Sequence, residues 1–268
     1  MSRLFLSTLA TVIASFGAPA PSGQSTNQAL ALDGDGDEVF VPFAAGLDLT
    51  TTFTIEAWIW HEEPLDQGFL TKFGPVVSRK ASVQAPWNAS YELGSVLVTL
   101  STFSAHRNGV DGNCFYGSRI ALGRWVHWAW VHRPEEDLPY RNGRLDAVAD
   151  LPDPASSSMP LHIGHRVGHP GSPEVWLRGM VDDLRLWTRV RTMGELRDTI
   201  NASIRAEDVA QFPGLSASWT FDGDALDATG IHHGQLVGDA HFVPAPDRPV
   251  LVFGPSGLRP QAPVRQKQ

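Results

Sequence analysis

The sequence predicts an all-β fold, a sandwich of short antiparallel strands carrying one short helix. Short runs of alternating apolar and polar residues recur from residue 30 to residue 245, broken by Gly, Pro, Asn and Asp clusters. That rhythm marks half-buried strands joined by turns. Apolar residues make up 42% of the 268-residue chain, enough for one large core. Only Thr192–Ile204 has helical spacing: Met193, Leu196 and Ile200 share a side, and Thr192 with Glu195 is disposed as a capping box.

The elements follow in chain order. Residues 1–20 read as a secretory signal, with Arg3 ahead of an apolar Leu4–Phe16 stretch and Ala18, Pro19 and Ala20 at a small-residue cleavage site. That stretch is too short to span a bilayer, which takes about 20 residues. Residues 21–29 form a polar leader, and 30–245 one domain. In Phe53–Trp60, Phe53, Ile55, Ala57 and Ile59 share one face, and Thr54, Glu56, Trp58 and Trp60 the other. Leu93–Leu100 reads as a strand. Trp125–Val131 places Trp125, His127, Ala129 and Val131 on one face, read here as the core face. Asn142–Gly143 supplies the positive φ angles of a tight hairpin turn. Leu161–Gly164 and Val181–Trp187 are further strands, and Leu215, Ala217, Trp219 and Phe221 alternate on a late one. Segments 215–222 and 230–238 either close the single sandwich or are the relic of a second repeat. The first is favoured, because an isolated strand pair is only marginally stable. Val250–Phe253 would add a strand, and 246–268 is a tail expected to be disordered at its end.

Composition excludes some classes of function. The net charge is −8 and no basic run occurs, which argues against nucleic acid and against a polybasic membrane patch. No other stretch is long and apolar enough for a transmembrane span. The single cysteine, Cys114, forms no intramolecular disulfide and reads as packed. Nine Trp is a high number; most belong in a core, but a flat apolar ring also stacks on a sugar face. Two sequons begin at Asn88 and Asn201.

Six segments follow one another along the chain: Ala31–Val39, Phe53–Trp58, Trp125–Ala129, Tyr140–Gly143, Leu161–Gly164 and Gly179–Trp187. In this order they resemble the laminin-G-like, pentraxin-like domain of the concanavalin A-like lectin/glucanase superfamily. The resemblance covers about residues 31 to 200 and implies a two-sheet antiparallel jelly roll. It also implies that the Asp of the Gly179–Trp187 strand sits near the opening Asp-Gly turn, where some members bind a structural calcium.

Asp33, Asp35 and Asp37, interleaved with Gly34 and Gly36, have the oxygens and the tight turn that calcium favours. The spacing is not that of an EF-hand, because Glu38 and Ala44 fall where Gly and Glu are required. Asp-Gly turn chemistry alone also accounts for the run. Asp182 shares a face with Leu184 and Leu186 and is expected to point to the core, where a carboxylate needs donors, a cation or a metal. The hypothesis is one structural Ca2+ held by Asp33, Asp37 and Asp182, with Asp35 or a main-chain carbonyl helping.

Three loops, 61–73, 104–118 and 165–176, are candidates for a ligand site. The middle one offers His106, Asn108, Asp111, Asn113 and Tyr116; the last offers Arg166, His169 and Trp176. Polar side chains beside aromatics suit a sugar, although solvated loops share that composition. Catalysis finds little support. Glu56 is a lone carboxylate, expected at most to pair with Arg185 at the surface, and glycoside hydrolysis generally needs two. The Glu-x-Asp-x-x-Glu run of laminarinase-like enzymes is missing, as are a Gly-x-Ser-x-Gly elbow and the alginate-lyase motif set. His127 reads as structural. The expectation is therefore a secreted, non-catalytic module that binds a glycan or an extracellular protein. The alternatives are a polysaccharide-active enzyme and a structural or adhesive surface component.

Overall fold

The computed structural model describes residues 27–62, 73–80, 89–96, 101–106, 113–119, 121–134, 136–151, 153–168 and 174–254. The signal reading of 1–20 and most of the leader lie outside them, as does the end of the tail. The strands are β1 (Gln28–Asp33), β2 (Glu38–Val41), β3 (Phe53–His61), β4 (Phe73–Lys80), β5 (Ala89–Val96) and β6 (Ser101–His106). Next come β7 (Asn113–Arg119), β8 (Trp125–Arg133), β9 (Glu136–Arg141), β10 (Arg144–Leu145), β11 (Leu161–Ile163) and β12 (His165–Arg166). The last are β13 (Val175–Trp176), β14 (Arg178–Trp187), β15 (Leu215–Trp219), β16 (Gln235–Val237) and β17 (His241–Pro244).

They form two large antiparallel sheets, the jelly-roll sandwich expected. The first runs β10-β9-β8-β3-β14-β1-β17, with β15 also on β14; the second runs β16-β2-β11-β4-β5-β6-β7. The main core lies between them. Phe53, Ile55, Ala57 and Ile59 from β3 meet Val39, Val41, Leu161 and Ile163 from the second sheet. The late segments close the single sandwich: β15 extends β14, β16 edges the second sheet beside β2, and β17 edges the first beside β1. The Asn142–Gly143 turn has positive φ at both residues and closes the β9–β10 hairpin.

A third layer covers the outer face of the first sheet. It contains α1 (Met193–Thr199) and the segment after β17. The capping box is present: Thr192 Oγ1 accepts the Glu195 N–H, and Glu195 Oε2 accepts the Thr192 N–H at 2.7 Å. Leu196 and Ile200 are buried as the periodicity predicts, but Met193 is exposed. Trp58 donates its indole N–H to Ile200 O, and Arg185 donates to Thr199 O, so carbonyls left open at the helix end are satisfied from the sheet below. Val250–Phe253 adds no strand. It packs as coil on Trp58 and Trp125, and Trp125 donates to Pro246 O.

This layer reverses one expectation. Val126, Trp128 and Trp130 face the sandwich core, whereas Trp125, Ala129 and Val131 face outward under the third layer. Both faces of β8 are buried, so the apolar pattern alone does not tell them apart.

The second correction concerns Asp182. A bulge interrupts β14: Asp182 pairs with Trp58 but Arg185 with Glu56, so β14 carries one extra residue, and Asp183 has φ +48°. Val181, Leu184 and Leu186 all reach the core, while Asp182 and Asp183 both bond on the outer side, to Asn27, Ser203 and Arg248. The bulge also marks the point where β14 exchanges β1 for β15 as its neighbour. Burial and the Asp183 charge push the Asp182 carboxyl up to about 8, against the pull of Arg248 and Asn27. The folded state therefore holds this proton more tightly than the unfolded chain. Its stabilising effect is complete below the ordinary carboxylate range and is lost as pH rises through the folded value. We expect the melting temperature to fall over that interval, and Asp182→Asn to flatten the slope. An equal slope in the variant would contradict the assignment.

Candidate functional site

The opening turn is held by its own backbone. Asp37 is buried and accepts the N–H groups of Asp33 (3.0 Å) and Asp239 (2.5 Å), while Asp33 accepts the Asp35 N–H at 2.8 Å. Asp33 and Asp35 are exposed. Asp182 does not join them. Asp33 pairs with Arg178 and Leu30 with Val181, which puts Asp182 at the opposite end of β1, beside Asn27. The four carboxylates do not fit one calcium site, because the strand register separates Asp182 from the other three.

The middle loop is described only at its base. His106 pairs in register with Asn113, and Phe103 with Tyr116. Asn108, Asp111 and His169 lie outside the described residues.

Arg166 and Trp176 share a hairpin but not a face. They lie on the β12–β13 hairpin, where His165 pairs with Trp176 and Arg166 with Val175. The hairpin packs against β4, on the outer face of the second sheet. There Phe40, His162, Ser78 and Glu92 follow one another across four strands in register. Ser78 donates to Glu92 at 3.0 Å, and Arg166 pairs with the other Glu92 oxygen at 3.2 Å. Lys80 donates to Gly168 O.

Beside this row is a group the sequence reading missed. Glu38 Oε2 lies 2.6 Å from His162 Nδ1 and 2.9 Å from His165 Nδ1. Burial raises the Glu38 pKa, but the hydrogen bonds and charges of both imidazoles outweigh it and hold the carboxylate at about 2. Gly164 makes the convergence possible. Ile163 faces the core and His162 faces out, so strict alternation would send His165 inward. Gly164 adopts φ +86°, which breaks the alternation and returns His165 to the side of His162. The available signal was the His162-x-x-His165 spacing around that glycine. Trp176 stands edge-on to His165, ring centres 4.0 Å apart. Six tryptophans are buried; Trp60 and Trp176 are half-buried, and Trp87 lies outside the described residues.

Glu56, Asp182 and Asp183 are inaccessible under the third layer. Glu56 is not in a surface pair with Arg185. It accepts from Arg191 at 2.5 Å and from Trp187 at 2.9 Å, and Arg185 stands at 3.7 Å. His127, buried edge-on to Trp58, lies 3.5 Å from the second Glu56 oxygen.

A family profile described as the concanavalin A-like lectin/glucanases superfamily matches residues 33–197. The chain belongs to that superfamily. No curated protein sequence matches it. Among solved structures, it is similar to a candidate carbohydrate-binding protein from Bacteroides ovatus. The TM-score is 0.63 at 16% identity, over 84% of this chain and 62% of that one. It is also similar to the heptameric SAP-like pentraxin of Limulus polyphemus. There the TM-score is 0.50 at 15% identity, over 68% of this chain and 86% of that one. The superfamily member described here thus spans under two thirds of the Bacteroides protein's length. Among the described residues, no helix is long and apolar enough to cross a membrane.

Proposed function

We propose that the chain is a secreted, non-catalytic module that binds a glycan on the outer face of its second sheet, around Trp176, Arg166 and Glu92. The observation that carries the reading is Trp176. It is a partly exposed indole set edge-on to His165, next to the Glu38–His162–His165 group, while Arg166 of the same hairpin reaches Glu92; among the described residues this face carries no helix of the kind that covers the first sheet. An aromatic plane takes the apolar face of a sugar, and neighbouring charged and hydrogen-bonding groups take its hydroxyls. The likeness to the Bacteroides ovatus candidate carbohydrate-binding protein supports the same class of ligand. Extracellular location is part of the reading and rests on the N-terminal segment.

An enzyme is the weaker reading. Glu38 and Glu92 share the face, but β2 and β5 are three strand spacings apart, about 14 Å at about 4.8 Å each. Carboxyl pairs that cleave glycosides lie roughly 5–10 Å apart. Each of the two is also held by its own cations or imidazoles.

The test is a glycan array probed with the chain and with Trp176→Ala, in calcium and in chelator. We expect selective binding, weakened at least about tenfold in the variant, because truncating an aromatic anchor costs roughly 2 kcal/mol. Loss in chelator would bring calcium at the Asp33–Asp37 turn into the account. Binding indifferent to Trp176 would move the site to the 104–118 loop. No binding would favour an extracellular protein as the partner.

A further inference from the structure

We propose that Glu38, His162 and His165 form a binding site for a divalent transition-metal ion of the zinc type. Among the described residues this is the group of His, Cys, Asp and Glu side chains whose ligating atoms converge, all within 4.8 Å of one another. The convergence is specific: both imidazoles present the same nitrogen, Nδ1, to the same oxygen, Glu38 Oε2, at 2.6 and 2.9 Å. Zinc bonds nitrogen and carboxylate oxygen at about 2.0–2.2 Å in tetrahedral geometry, which sets its ligands about 3.4 Å apart. An opening of about 0.5–0.8 Å at these two contacts therefore admits the ion.

The donor set fits zinc and not calcium. Two imidazoles and one carboxylate suit a borderline-soft cation, whereas calcium takes six to eight oxygens. The ligands come from three strands, β2, β11 and β12, and depend on the Gly164 turn, so the backbone and not flexible side chains sets their approach. Phe40 lies edge-on to His162 at 5.7 Å and Trp176 edge-on to His165 at 4.0 Å, which walls the group with apolar rings. The Glu38 and His162 side chains keep 12% and 10% of their exposure, so solvent reaches the cluster. Three protein ligands then leave a fourth position for water or for an incoming oxygen donor. The site does not depend on the glycan reading.

The experiment titrates the full chain with zinc by calorimetry and with cobalt(II) by visible absorption. One saturable site per chain with tetrahedral cobalt bands is expected. His162→Gln and Glu38→Gln should each abolish the bands, and His241→Gln, at an exposed histidine, should leave them intact. Zinc should raise the melting temperature of the parent and not of Glu38→Gln. Absence of saturable binding, or binding unchanged in both ligand variants, would overturn the proposal. Two histidines sharing protons with one carboxylate would then be the whole arrangement. Should either ligand variant fail to fold, zinc-edge X-ray absorption of the parent decides: a first shell without imidazole nitrogen contradicts the site.

Discussion

Glu56→Gln is expected to lower the unfolding free energy by about 3–5 kcal/mol, the usual cost of breaking a buried ion pair by removing one partner. Glu56, Arg185 and Arg191 are all buried. Glutamine keeps the shape and an acceptor for the Trp187 indole, but it leaves the Arg191 guanidinium under the third layer without its carboxylate partner and Arg185 with Asp183 alone, at 3.4 Å. The same guanidinium groups tie α1 down. Arg191 bonds Glu195 O and Thr199 Oγ1, and Arg185 bonds Thr199 O and Ala202 O. The damage should therefore spread from β3 to the helix. A denaturant midpoint shifted at unchanged slope measures it. Glu195→Gln is the control. Its partner Arg189 is about one-third exposed, and such a pair is worth roughly 0–1 kcal/mol. Equal losses in the two variants would contradict the buried network. The acid limb has a definite sign as well. Burial raises the Glu56 pKa, but His127 and the two arginines hold it at about 2 against an ordinary 4.5. Its contribution is present above the ordinary value and is lost as pH falls toward the folded one. Glu56→Gln should remove that part of the acid sensitivity.

Gly179→Ala is the second large effect, expected to cost about 3 kcal/mol or more. Gly179 opens β14 opposite His61 at φ +148°, a conformation that side-chain-bearing residues rarely adopt. A Cβ there would stand 2.0 Å from Trp60 O, a backbone atom that cannot rotate away. Relief requires β14 and β3 to separate near the centre of the first sheet. Gly164→Ala offers a contrast. There the near atom, at 2.4 Å, is Leu32 Cδ1, the end of a flexible side chain. A smaller loss at Gly164 than at Gly179 is expected in thermal unfolding. A mild Gly179→Ala would mean that the two strands do not meet this closely.

The strands were legible because alternation survives wherever one face is buried less than the other, and α1 because its capping box and its Leu196–Ile200 spacing agree. Alternation failed where the third layer buries both faces. Trp125, Ala129 and Val131 then look as core-like as Trp128 and Trp130. It failed again at Asp182, because one extra residue in β14 shifts every later side chain and leaves no compositional trace. The candidate site was half visible. Arg166 and Trp176 follow from the polar-aromatic character of their loop. Glu38 pairs with histidines more than a hundred residues away, and His165 joins His162 only through a backbone reversal at Gly164. The first fact is not local, and the second left only the His162-x-x-His165 spacing around a glycine as its sign.

The central claim is that the ligand lies on the outer face of the second sheet. A chemical-shift titration of the isotope-labelled chain with its tightest array oligosaccharide tests it most directly. The account predicts the largest changes at the Trp176 indole N–H and at the backbone amides of His162–Arg166 and Val175. Changes confined to the first sheet's covering layer, around Ile200 and Leu251, with Trp176 unmoved, would contradict it.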